Sequence, residues 1–408
     1  MQSTDIQGSL KQTRAQVIFQ VLLFLLWTKD TVWSFAVQVI RRIPIMGQVY
    51  EYVIPAMITV AIIVSLPYLL RKARAFDLLF CIGCIVLVLF SYIFHEENQP
   101  YIEDQLLTII ISSIPMYMIG VGCMYDECRN VLYWASLTSV IAMLLYQLSL
   151  IASGDFLRVY NMSASYKVLP SMMYLMVWAF THKKIRHWLV VLVCLALSLS
   201  YGTRGPIGAI CLFFIVGVCV NVLHTKRRWE KWVAVLLASG LVFLILWGTP
   251  LMNLAKWMSE QFSRYGFTTR IFDFIISGEF AYDSGRQMLY DIIVESIGQS
   301  PVVGYGIMGD RVILDGKYCH NIALEFWCDF GIVFGSALLI VIGVLVYKAL
   351  RRTWRTKTFF FIAMLVIMTF VKLMFSNSYL IDAYFFFMMG ACVAAVRSQP
   401  TENLREVE

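Results

Sequence analysis

The chain has 408 residues, of which 60% belong to the hydrophobic set and only 14% are charged, and its mean hydropathy is +0.72. Soluble domains run about 45–50% apolar and about 25% charged. Too little polar surface remains here to cover a body in water, which excludes a cytosolic enzyme, a secreted disulfide scaffold and a nucleic-acid binder. The net charge of +7 then becomes a question of which side of a membrane each Lys and Arg occupies.

Runs of about 17–25 apolar residues can cross a hydrocarbon core of about 30 Å. In chain order such runs fall near 15–40, 50–70, 76–94, 104–124, 129–151, 166–181, 186–201, 206–224, 232–251, 321–349, 358–375 and 378–396. The sequence therefore predicts an all-α polytopic membrane protein with about 12 transmembrane helices and one large external loop between the ninth and tenth. The expected division is 1–251 for helices 1–9, 252–320 for the external loop with short helices, and 321–408 for helices 10–12 and a cytoplasmic tail. Lys29 and Asp30 interrupt the first run, which lacks a small-residue cleavage site and reads as a retained signal anchor. Basic connectors are assigned to the cytoplasm: Lys11 and Arg14; Arg71, Lys72 and Arg74; Lys183, Lys184 and Arg186; Lys226, Arg227, Arg228 and Lys231; Lys348, Arg351, Arg352, Arg355 and Lys357. One opposite loop carries Glu96, Glu97, Glu103 and Asp104. An even number of spans places both termini in the cytoplasm and 252–320 outside. Nine of the ten cysteines fall in or beside apolar runs, where a thiol behaves as a small hydrophobe. The C-x-x-C of Cys81 and Cys84 is read as coincidence, since a metal or redox pair needs polar access.

The external segment opens with Leu251, Leu254, Ala255, Met258, Phe262 and Tyr265 at helical spacing beside Lys256, Glu260 and Arg264, a pattern suited to a helix in the interface. A second helix is signalled over 285–297. Ser284 and Gln287 suggest a capping box, Met288, Leu289, Ile292 and Ile293 an apolar face, and Gly298 with Pro301 a stop. The glycine-rich turn Gly304-Tyr305-Gly306 follows. There is no internal repeat.

Three external positions can carry chemistry. In Tyr201-Gly202-Thr203-Arg204-Gly205-Pro206 the turn needs only its glycines and proline. Arg204 is surplus, either a headgroup anchor or an anion clamp whose planar fork grips phosphate. In Asp283-Ser284-Gly285-Arg286-Gln287 an arginine occupies the first turn of a helix, where the dipole already favours an anion, so it either pairs with Asp283 or meets a ligand. In Lys317-Tyr318-Cys319-His320-Asn321-Ile322-Ala323-Leu324-Glu325 the histidine stands where a membrane-held substrate meets the external loop. Its ordinary pKa of about 6.5 suits proton acceptance. His95, His182, His187 and His224 lie in polar connectors and read as solvated. No second His or suitable Cys pair accompanies His320, so no metal site is expected.

Taken together, Thr203-Arg204-Gly205, Ser284-Gly285-Arg286, Pro301 through Gly304-Tyr305-Gly306, His320-Asn321 with Leu324-Glu325, and Gly331-Ile332 through Gly335 resemble the O-antigen ligase and polymerase superfamily of bacterial surface polysaccharide synthesis. The pattern covers about residues 190–340, with Thr203 where the family more often has Ser and with Pro206 stiffening the turn. The resemblance implies a glycosyltransferase of the bacterial cytoplasmic membrane. Its donor is a polyprenyl-diphosphate-linked oligosaccharide, its acceptor a growing polysaccharide, and a chain-length regulator and a flippase are its expected partners. His320 is then the base, and Arg204 and Arg286 neutralise the leaving diphosphate. Arg158 and Arg311 are further cations, and Asn321, Glu325 and Tyr305 line the substrate. No cofactor and no metal are expected, because arginines replace a cation and the loop lacks clustered carboxylates. A repeat-unit polymerase is favoured over a ligase acting on lipid A core or protein. A transporter or flippase is the rival of another class, against which stands the absence of two similar halves.

Overall fold

The computed structural model describes residues 2–40, 50–153, 162–224, 248–264, 268–278 and 285–398. Among them the chain is helical, with no strand: α1 (Gln2–Ile40), α2 (Tyr50–Lys72), α3 (Ala75–Phe94), a short 3-10 turn (Glu96–Asn98), α4 (Gln99–Thr108), a π-turn (Ile109–Ser113), α5 (Ile114–Gly122), α6 (Tyr125–Ser153), α7 (Met162–His182), α8 (Ile185–Ser200), α9 (Arg204–His224), α10 (Gly248–Arg264), α11 (Arg270–Ile276), α12 (Arg286–Gln299), α13 (Gly309–Ile313), α14 (Ile322–Thr353), α15 (Thr358–Phe375) and α16 (Ala383–Arg397). Among the described residues, seven segments are long and apolar enough to cross a membrane: Arg14–Val37, Ala75–Phe94, Glu96–Gly122, Tyr125–Leu150, Arg204–Leu223, Ile322–Thr353 and Thr358–Phe375. This is the build of a polytopic membrane protein. Two further apolar helices, α8 and α16, are shorter, at 16 and 15 residues. The runs expected at 50–70 and 166–181 are helical as α2 and α7, while the one at 232–251 falls mostly outside the described residues.

The chain divides into two compact units: Met1–Leu23, Pro55–Arg129 and Asp283–Thr401 form the first, and Phe24–Ile54, Asn130–Tyr282 and Glu402–Glu408 the second. The external segment read from the sequence as one piece is therefore shared, with α10 and α11 in the second unit and α12 and α13 in the first.

In the first unit α5 and α16 touch backbone to backbone. A Cβ on Gly120 would lie 2.3 Å from the Phe387 carbonyl oxygen, and one on Gly390 would lie 2.0 Å from that of Tyr117. Glycine at both positions is what lets two spans approach without side chains between them. The start of α3 is tied to the end of α16 by Asp77, wholly buried, whose carboxylate receives both terminal nitrogens of Arg397, with Nη2 to Oδ1 at 3.0 Å. The Tyr117 hydroxyl donates to the same carboxylate at 2.9 Å.

The turn from Pro301 to Gly306 docks onto a break in α14. Gly331 sits at φ 73°, ψ 167° inside that helix, so Ile332 N–H leaves the helical ladder and donates to the Pro301 carbonyl at 2.7 Å. In exchange, Tyr305 N–H donates to the Cys328 carbonyl at 2.8 Å and Gly306 N–H to that of Asp329 at 2.9 Å. A Cβ on Gly331 would meet the Val302 carbonyl oxygen at 2.2 Å, and one on Gly304 (φ 74°) would meet Gly331 N at 2.5 Å. The glycines that the sequence displays as motifs are thus the two halves of one joint.

In the second unit, α10 and α11 pack through Ala255, Ile271 and Phe272 against Leu199 and Ile207, at the ends of α8 and α9. One histidine departs from expectation. His187 lies in the first turn of α8 and is buried, edge-on to Trp178 and Tyr133, because these rings at one helix end provide an apolar cover that a polar connector would not.

Candidate functional site

The first unit brings Arg286 and His320 into one setting. Gly285, at φ 82°, forms the cap position of α12, and Arg286 is that helix's first residue. Ser284, the expected capping residue, lies outside the described residues, as does Asp283. The Gln287 amide donates to Asp291 at 2.9 Å. The Arg286 guanidinium rests 5.8 Å above the Phe375 ring at the end of α15. One residue on, the Ser376 carbonyl accepts from the Tyr318 hydroxyl at 2.7 Å. The Tyr318 ring in turn lies 4.1 Å, centroid to centroid, from that of His320. One turn along α12 from Arg286, the Tyr290 hydroxyl donates to the His320 carbonyl at 3.4 Å. The helix start, its arginine and the imidazole are therefore joined through Phe375, Tyr318 and Tyr290, none of which the sequence reading singled out for that purpose.

His320 Nδ1 is enclosed and has no hydrogen-bond partner among the described residues. Burial first, and then the Arg286 and Arg311 cations, push its pKa down from 6.5 to about 4. The imidazole is therefore neutral at pH 7 and open to accept a proton, and it is a weaker base than its ordinary value suggests.

Behind it lies a buried ion network. Arg311 pairs with Asp310 and donates from Nη1 to Glu325 Oε1 at 3.1 Å. Glu325 also accepts from the Ser378 hydroxyl and, at 3.3 Å, from Tyr379 N–H. The Tyr379 hydroxyl donates to Asp329 Oδ2 at 2.8 Å. Arg311, Glu325 and Asp329 are 6%, 1% and 2% exposed. The Arg311 charge, expected at a diphosphate, is thus already engaged by two carboxylates inside the protein. Glu325 is its structural partner. Asn321 is the N-cap of α14: its Oδ1 accepts from Ala323 N–H at 3.0 Å and Leu324 N–H at 3.3 Å. The hydroxyl of Tyr305 donates to the Ser296 carbonyl at 2.8 Å, packing the glycine turn onto α12. These residues build the setting of His320, and Arg158 lies outside the described residues.

Arg204 belongs to the second unit. It opens α9, and its guanidinium lies 4.6 Å above the Phe274 ring, over which Arg270 also sits at 5.4 Å. The turn before it is fixed by Gly202 at φ 69° and by the buried Thr203 hydroxyl, which donates to Ser165 at 2.6 Å. The hydroxyl shared by Thr and Ser at this position therefore has a local use.

Asp310, Asp329 and Tyr379 went unmarked in the sequence. A signal was there: Glu325 and Asp329 stand four apart on one face of an apolar helix, where acids are costly enough to demand partners. No family model matches the chain, and no curated protein or solved structure is significantly similar to it.

Proposed function

We propose that the chain is a metal-independent glycosyltransferase that polymerises lipid-linked repeat units of a bacterial surface polysaccharide on the outer face of the cytoplasmic membrane. The observation that carries this reading is the meeting of Arg286, at an anion-favouring helix start, with a neutral, partly enclosed His320 in one unit that also contains membrane-spanning helices. An arginine at a helix N-terminus suits a diphosphate, and an imidazole with an unpartnered nitrogen suits an attacking hydroxyl.

In this mechanism a hydroxyl of the acceptor sugar attacks the anomeric carbon of the donor. The sugar–diphosphate bond breaks, its electron pair stays on the polyprenyl diphosphate, and the hydroxyl proton passes to His320. Arg286 offsets the developing charge. A single displacement inverts the anomeric centre. The proposal includes about twelve spans, with cytoplasmic termini and an outward 252–320 segment assigned from the distribution of basic residues.

Glycan analysis of a clean deletion strain tests the reading. Single repeat units left on the surface support a polymerase. Long polymer stranded on its carrier lipid means a ligase instead, and lipid-linked units accumulating on the inner leaflet mean a flippase. With purified protein and a synthetic lipid-linked donor, extension should persist in excess chelator. Loss on chelation with recovery on adding Mg2+ would overturn the arginine-based mechanism.

A further inference from the structure

His320 adopts φ 56°, a left-handed backbone that residues with a Cβ take only where neighbours over-determine it. Those neighbours can be named. On one side, the N–H of Cys319 donates to Asp310 Oδ2 at 3.1 Å. On the other, Asn321 begins α14 and caps it with its own side chain. Between them the His320 carbonyl is held by Tyr290. Cys319 and Asp310 are both fully buried, so water has no access to replace their bond. The Asp310 carboxylate has no freedom to turn away, because its other oxygen is held by Arg311, Arg311 by Glu325, and Glu325 by Ser378 and Tyr379. A chain of bonds therefore runs from the segment before α16 to the Tyr318–Cys319 peptide, one residue short of His320.

We propose that Asp310 is a positioning residue, which pins the Tyr318–Cys319 peptide next to His320 and so fixes the direction in which the imidazole points. The inference rests on the reading of His320 as the base. Asp310 meets no substrate in this account and acts through the backbone alone. A purely structural aspartate would lower stability and leave the reactivity of the folded protein's histidine unchanged. A positioning aspartate alters that reactivity in protein that is still folded.

The test uses the full chain, purified in detergent, as wild type, Asp310→Ala and Asp310→Asn. The rate at which diethyl pyrocarbonate modifies His320 at fixed pH is followed by mass spectrometry, beside kcat and KM for the lipid-linked donor. In Asp310→Ala the modification rate should change several-fold and kcat should fall about 100-fold, the cost of a displacement of roughly 1 Å, while KM stays within about threefold. Asp310→Asn, which keeps an acceptor for Cys319 N–H, should regain most of kcat. Wild-type His320 reactivity and wild-type kcat in folded Asp310→Ala would overturn the proposal. If neither variant folds, amide exchange in the wild type decides it: Cys319 N–H protected by about 100-fold or more supports it, and exchange at the free-peptide rate overturns it. Should His320→Ala retain activity, the base reading falls, and the modification rates still answer for the positioning.

Discussion

His320 concentrates most of what is testable at the scale of one residue. An imidazole held near 4 rather than 6.5 stays unprotonated as the pH drops, so kcat/KM should hold down to about pH 6 and fall only below about pH 5. The stability consequence has the same direction. The unfolded chain takes up this proton first, so the contribution is complete above about pH 6.5 and is lost as the pH falls toward about 4. Arg286→Gln removes one of the depressing cations and should move the acid limb of kcat/KM upward; a limb at 6.5 in both proteins would contradict the enclosure described. His320→Ala should leave a folded protein whose extension rate is lower by about 100- to 10,000-fold. Arg286→Lys keeps the charge and loses the fork, and should cost about 10-fold or more in kcat/KM. Rates with a synthetic lipid-linked donor check both substitutions. The sequence pointed to His320 and Arg286 because an imidazole and an arginine at such positions exceed what a turn needs. It could not point to Tyr290 or Phe375, whose part depends on which turn of α12 and which end of α15 meet. Arg311 read as one more external cation because nothing local reveals that Glu325, 14 residues on, reaches back to it.

Among elements, the joint between the glycine turn and α14 invites a paired experiment. Gly331→Ala must hold φ 73° and place a methyl 2.2 Å from a carbonyl oxygen, so it should lower stability by at least about 2 kcal/mol and release the turn seated there. Gly343→Ala, in the same helix with nothing within 4 Å of the added atom, should be neutral or gain up to about 1 kcal/mol. Thermal unfolding in one detergent compares them, and equal losses would mean that the turn is not seated on the helix break. Helix existence was largely legible here: apolar periodicity gave α12 within two residues at its end, and the apolar runs gave α14 and α15. The break at Gly331 was not, since an apolar run looks the same whether or not one carbonyl in it changes partner. The sharing of the external segment between two units was equally hidden, because it follows from the packing of α10 and α11 on the ends of α8 and α9.

At the scale of the whole molecule, membrane sidedness is the first matter to test. Cysteines introduced at Lys317 and at Arg351 in a cysteine-free variant should differ toward an impermeant thiol reagent applied to intact cells, with only the former labelled; the reverse pattern would invert the assigned orientation and remove the site from the outer face. The second is the clamp between α3 and α16. Arg397→Met leaves the Asp77 carboxylate buried without its cation and should cost about 3–5 kcal/mol, while Asp77→Asn in the same chain should restore a large part of it; additive losses in the double variant would show that the two do not act as a pair. That clamp also bears on how the protein is made. The partners are 320 residues apart, so a ribosome delivers the acid long before the guanidinium that will receive it, and α7, α8 and α9 of the second unit emerge in between. Throughout that interval the early helices carry a carboxyl without its cation. Until α16 is made, only the Arg74 N–H and the Tyr117 hydroxyl among the described residues are at hand to bond that acid, so its charge relies on water until the last helix brings the guanidinium.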